Sequence, residues 1–258
     1  ADVDSIYRHI ALLVKADNQY YPALPMAVFM HHAGIKMTDL TVVWGHHLTI
    51  AATTENVLEQ DLSIPIDKRG RLFIPYVQTL GNDFSHMTAH QLLKQYQTPH
   101  LRGNLQNFFE GQFVFIADIA TGASDLGYTP LDKDTPLTSI NTAVLNALLT
   151  RTFYWKWTRS LTTTVVICLV LWFGAAAMFR HSWLFYGSGV SLPVMLLILT
   201  WLELINFRLV PAATIGGISC ITFLCLLITL EVSSAREKKI IRTIFSRYMP
   251  EKLEKTLL

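Results

Sequence analysis

The sequence predicts an α/β extracytoplasmic domain, then an all-α three-helix transmembrane bundle and a cytoplasmic linker helix. Three observations predict this. Leu161–Phe179, Leu184–Leu204 and Leu209–Leu230 are long apolar runs, each about the length that crosses a hydrocarbon core of ~30 Å as helix. Before Arg151, strand and helix signals alternate as in a soluble α/β fold. After Ser234 the chain turns basic and amphipathic. The expected divisions are 1–152 for the outer domain, 153–232 for the spans and 233–258 for the linker. An odd number of spans puts the domain and the linker on opposite sides of a membrane, the plan of a transmembrane receptor.

Charge sets the orientation. From Ser234 to Leu258, Arg236, Lys238, Lys239, Arg242, Arg247, Lys252 and Lys255 stand against Glu237, Glu251 and Glu254, a net of +4. Residues 1–160 carry 12 basic and 14 acidic groups, a net of −2. Arg180-His181-Ser182 makes a tight basic connection between the first two spans, and Arg208 is a lone exception on the other side. Basic residues favour the cytoplasmic side, so the domain is expected outside and the tail inside a bacterial cell membrane. Phe153, Tyr154, Trp155 and Trp157 then mark the outer interface.

Composition agrees. The chain is 51% hydrophobic with mean hydropathy +0.34, too apolar for an ordinary soluble protein. A net charge of +2 gives no reason to expect nucleic acid as a partner. Cys168, Cys220 and Cys225 all fall in the spans, so the outer domain holds no disulfide and rests on its packed core, as suits a bacterial envelope. The sequence opens without Met, a basic leader or an apolar segment before Ile10. A translocating segment is therefore expected upstream.

In the outer domain, Ile6–Val14 alternates as a strand, turned at Asp17-Asn18. Pro22 is expected to open a helix through His32, with Gly34 as its cap. Leu40–Trp44 and His47–Ala51 are short strands. Ile64–Ile66 and Arg71–Val77 should form a hairpin about Asp67-Lys68-Arg69-Gly70. Thr88 with Gln91 makes a capping box for a helix to about Tyr96. Phe113–Ala117 reads as a buried strand. Thr138–Leu149 has helical spacing at Ile140, Val144, Leu145, Leu148 and Leu149.

Four blocks together carry a family likeness: DVDSIYRHIALLV…YYPALPMAVFMHHAG, IPIDKRGRLFIPYV…FSHMTAHQLL, FEGQFVFIADIATGASDLGYTPLD, and the helix ending AVLNALL. They resemble the second type of CHASE domain, an extracytoplasmic sensor associated with cyclases and histidine kinases. The likeness runs from Asp2 to about Leu149 and on through three spans. It implies a sensor whose opening part and leading membrane helix stand upstream. The chain departs from the family pattern at Ala117, where Gly is usual. It departs again at Ser139-Ile140-Asn141, where a Glu-x-His pattern is usual.

The tail, IIRTIFSRYMPEKLEKTLL, resembles the linker that enters a class III adenylate or guanylate cyclase domain. Phe245, Tyr248 and Pro250-Glu251 stand near that linker's marked positions. Ile240, Ile241, Ile244, Phe245 and Tyr248 form one apolar stripe, and Pro250 breaks the helix after it. A second copy of the same helix would cover the stripe, giving a homodimer. Anionic lipid would attract the same basic helix.

For ligand binding, the loop after the expected strand offers Asp118, Thr121, Gly122, Ser124 and Asp125, at the strand end where open α/β sheets place ligands. Small polar residues also simply make turns. His86 and His90 do not make a metal pair, because Thr88 as N-cap leaves His86 outside the helix. The neighbours His31-His32 and His46-His47 point apart. No catalytic motif occurs, and no metal or cofactor is expected here. The resemblance implies Mg or Mn for cyclase carboxylates beyond Leu258. Glu203 and Glu231 lie near span ends. Gly174-Ala175-Ala176-Ala177 and Gly216-Gly217 suit close helix packing.

These signs imply the sensor and membrane part of a receptor cyclase, with an unidentified envelope ligand or protein as its signal. The same sensor before a histidine or Ser/Thr kinase, and a non-signalling membrane scaffold or transporter accessory, stand as alternatives.

Overall fold

A computed structural model describes residues 2–76, 84–118, 126–133, 135–178 and 182–248, the side chains of 182–184 and 246–248 excepted. The chain divides into two compact units, Ala1–Tyr154 and Trp155–Leu258. The first is mixed α/β and the second carries three long apolar helices, as the sequence predicts.

In the first unit, β1 (His9–Ala11), β2 (Leu13–Ala16) and β3 (Gln19–Pro22) precede α1 (Leu24–Ala33). Asp17 and Asn18 both take positive φ, 47° and 62°, so the β2–β3 turn has the twist that closes a two-residue hairpin. The single expected strand is thus two, parted at the fully buried Leu12, and β3 is an addition. Pro22 ends β3 rather than opening α1; Pro25 takes the first helical turn, where its missing N–H costs nothing. Gly34, at φ 68°, caps α1 in the left-handed conformation.

β4 (Leu40–Val43), β5 (His47–Ile50) and β6 (Leu62–Pro65) form an antiparallel meander. Leu48 pairs with Ile64 and Ile50 with Leu62, so one face of the meander is apolar and buried. The expected hairpin after β6 is only half formed. Its turn exists: Gly70 takes φ 71°, and Asp67 N–H donates to Arg71 O at 2.9 Å. Its ladder does not, because β7 (Arg71–Phe73) leaves to pair with β1, Ile10 beside Leu72. Pro65 has no N–H to give a returning strand.

α2 (Ala89–Gln97) and α3 (Arg102–Phe109) follow, and the predicted capping box opens α2. Thr88 Oγ1 accepts from Gln91 N–H at 3.2 Å, and Gln91 Oε1 accepts from Thr88 N–H at 3.0 Å. Phe113–Ala117 is not a strand: no partner strand runs beside it among the described residues, and Ile116 is 95% exposed. Phe113 instead meets the His32 ring edge-on at 5.0 Å. Two-residue strands β8 (Leu126–Gly127) and β9 (Thr135–Pro136) then lead into α4 (Leu137–Thr150). α4 packs on α1, burying Ile140, Val144, Leu145 and Leu148 against Met26 and Phe29. Leu149 falls on its exposed side. Each large side chain shut into such a core contributes about 1.5–3 kcal/mol before entropy.

The second unit holds β10 (Trp155–Lys156), α5 (Arg159–Met178), α6 (Ser182–Ile205), β11 (Arg208–Leu209) and α7 (Ala212–Tyr248). Phe223 of α7 lies between Phe173 of α5, at 5.7 Å, and Phe185 of α6, stacked at 4.9 Å. Gly189 makes this approach possible, since a Cβ there would stand 2.5 Å from the Phe223 ring. Gly216 faces Leu196 closely, whereas Gly174 and Gly217 have open space. In the most apolar stretches of α5, α6 and α7, 11%, none and 11% of residues are buried. Surfaces so apolar and so exposed suit hydrocarbon rather than water.

Candidate functional site

α7 is the longest helix and carries the sequence-predicted stripe. It runs 37 residues without interruption, from an apolar stretch into the charged segment. At 1.5 Å per residue that is about 55 Å, well beyond a ~30 Å hydrocarbon core. The predicted stripe lies near its far end: Ile240, Ile241, Ile244 and Phe245 are each more than half exposed, and Tyr248 ends the same helix. Pro250 lies outside the described residues.

Glu203 and Glu231 mark opposite ends of the bundle. Trp157 Nε1 donates to Glu203 at 3.4 Å, and the Tyr186 hydroxyl donates to Glu231 at 3.4 Å. The three cysteines are free and exposed on the apolar helices.

Of the five predicted ligand residues, only Asp118 is placed, at the exposed end of the Phe113–Ala117 run. Thr121, Gly122, Ser124 and Asp125 lie outside the described residues. Ser139 is engaged by its own helix start, donating to Pro136 O at 2.7 Å.

Two features went unseen in the sequence. An open groove of about 520 Å³ lies along α2 and α3, with Leu92, Tyr96, Leu105 and Phe109 as apolar lining and Arg102 and Glu110 as charges. Arg102 sits 4.9 Å over the Tyr96 ring and donates Nε–H to Tyr96 O at 2.7 Å.

The second is an ion-pair chain across the β1–β7 ladder. Arg71 donates to Asp67 at 2.9 Å and to Asp2 at 2.8 Å; His9 Nδ1 meets the other Asp2 oxygen at 2.9 Å. Burial pushes both carboxyls up, but the His9 and Arg71 contacts outweigh it at Asp2. At Asp67 the backbone N–H groups of Arg71 and Arg69, with the guanidinium, do the same. Both are held below the usual carboxylate range. Burial lowers the Arg71 pKa, but its two carboxylate partners outweigh this and hold it above the ordinary value. Nearby, Tyr76 donates to Tyr7 O at 2.6 Å, and burial together with the Asp2 charge raises its phenol. The chain fixes the first residues to β7 and has no nucleophile. Asp2 and Arg71 are 69 positions apart, and no local pattern announces such a pair.

No three His, Cys, Asp or Glu side chains gather as metal ligands among the described residues. No curated protein and no solved structure matches the chain. One family model does, described as the CHASE2 domain, over residues 1–177. The match takes in the α/β unit and nearly all of α5, more than half of the 258 residues. The chain therefore belongs to the CHASE2 family: a sensor domain joined to membrane helices.

Proposed function

We propose that this chain is the sensing and transmitting part of a bacterial receptor of the class III adenylate or guanylate cyclase type. The α/β unit lies outside the cytoplasm and the end of α7 inside it, following the +4 charge of the tail. An envelope ligand or protein alters the α/β unit. Two copies pair through Ile240, Ile241, Ile244, Phe245 and Tyr248, and that pairing governs how two output domains approach. The observation that supports this most is the continuity of α7: a single helix leaves the apolar bundle and carries an uncovered apolar stripe. A helix transmits rotation or translation over its whole length, where a flexible linker would absorb it.

The test is cyclic nucleotide synthesis by membranes holding the uninterrupted parent protein, given ATP or GTP with Mg²⁺ or Mn²⁺. Cyclic AMP or cyclic GMP is expected. Phosphate transfer to a His, Ser or Thr in its place would keep the receptor and replace the cyclase by a kinase. Neither activity would favour the non-signalling scaffold.

A further inference from the structure

Tyr154 is the last residue of the α/β unit and Trp155 the first of the helical unit. Phe153 is buried in the α/β core, and the Tyr154 ring meets Phe73 edge-on at 5.7 Å. The next residue, Trp155, donates its backbone N–H to Phe207 O at 2.8 Å. Trp157 N–H donates to Leu209 O at 3.1 Å, and its indole reaches Glu203 at 3.4 Å. Between them β10 and β11 lie parallel, Trp155 beside Arg208 and Lys156 beside Leu209.

β11 stands at the head of α7. Only Val210 and Pro211 separate it from Ala212, and Pro211 O accepts from Thr214 at 3.0 Å and Ile215 at 3.1 Å. Phe207 takes φ 55°, a conformation that a bulky non-glycine residue keeps only where its surroundings hold it. Along the chain, by contrast, the route from Trp155 to α7 runs through the 20 residues of α5 and the 24 of α6.

We infer that the β10–β11 clasp, with Trp157 on Glu203, is the coupling element between the sensor and α7. A displacement of Phe153 and Tyr154 enters the head of α7 through Phe207–Leu209 and does not have to travel along α5 and α6. The inference rests on α7 being the output helix. It assigns Trp155, Trp157, Glu203 and Phe207 as positioning residues for transmission.

The test is hydrogen exchange on the whole chain in nanodiscs loaded with a single copy, so that pairing between copies does not enter the readout. Phe153→Ala should loosen α4 and also raise exchange of the Thr214–Ile218 amides roughly tenfold. With Trp155→Pro, which removes the donor to Phe207, the same change should still loosen α4 and leave those amides unmoved. Tyr154→Leu, a milder cut, repeats the comparison if Phe153→Ala unfolds the domain. The inference is overturned if α4 loosens while Thr214–Ile218 stays at the wild-type rate, or if the response survives Trp155→Pro. Either failure leaves the cyclase and pairing tests standing, because both need two copies and this one uses one.

Discussion

Leu48, Ile50, Leu62 and Ile64 in the α/β unit are shut away from solvent, whereas Leu171, Val190, Leu197 and Trp201 in the helical unit face outward. The same kinds of side chain thus do opposite work. The α/β unit supplies its own apolar interior and stands on it. Among its described residues, the bundle buries a thin inner seam around Phe173, Phe185, Phe223 and Ile215 and turns most other apolar side chains outward. One consequence is where each unit can be broken. The α/β unit is sensitive to lost volume, and the bundle to lost closeness between helices.

The largest expected effect is in the α/β core. Ile64→Ala should destabilise that unit by about 2–5 kcal/mol, read as a lower denaturation midpoint of the chain in nanodiscs. Ile198→Ala, on an outward face of α6, should change stability by less than about 0.5 kcal/mol and leave the midpoint nearly in place. Equal losses at the two sites would erase the contrast between the units.

Gly189→Leu should cost about 1–3 kcal/mol by forcing α6 away from Phe223. Gly217→Leu, where a Cβ meets nothing, is its control. The comparison is read as thermal stability of the bundle in detergent. If Gly217→Leu proves the more damaging, the placement of the inner seam is wrong.

A smaller effect tests the ion-pair chain. Asp67 has its carboxyl held below the usual range, so its contribution is present above the unfolded carboxylate pKa of about 3.9 and is lost as pH falls through the lower folded value. Asp67→Asn should therefore cost about 1 kcal/mol at neutral pH, and the gap to wild type should close below about pH 4. A gap independent of pH would assign Asp67 to turn geometry alone, through its bonds to the Arg69 and Arg71 N–H groups.

The smallest is local. Thr88→Ala should remove the α2 capping box at a cost of about 1 kcal/mol, seen as faster exchange in the first turn of α2 and nowhere in the bundle.

These regions also differ in how far the sequence foretells them. The capping box at Thr88, the αL cap at Gly34, the helical spacing of α4 and the three apolar helices depend on residues within a turn or two of one another, and all are visible as patterns. The partner of β7 is not, because Arg71–Phe73 would satisfy a ladder on either side and Pro65 decides the matter from the preceding strand. Phe113–Ala117 shows the converse limit. Five apolar residues state a need for burial but do not name what covers them. At the candidate sites, the helical spacing of Ile240, Ile241, Ile244, Phe245 and Tyr248 is legible in the sequence, and what covers that face is not. The Asp2–Arg71 pair and the Trp155–Phe207 bond join positions far apart in sequence. Trp155, Trp157 and Glu203 were each conspicuous as interfacial residues, but their pairing needs the fold.

The most direct test of the central claim is a cysteine cross-linking scan of the end of α7, in native membranes, with Cys168, Cys220 and Cys225 replaced by serine. If α7 is one continuous helix that pairs with a second copy, cross-linking between copies should peak at Ile241, Ile244 and Tyr248. It should fall away at Lys239, Arg242 and Ser246, with helical periodicity throughout. Cross-linking that is uniform along 239–248, or absent at every position, would contradict a paired α7.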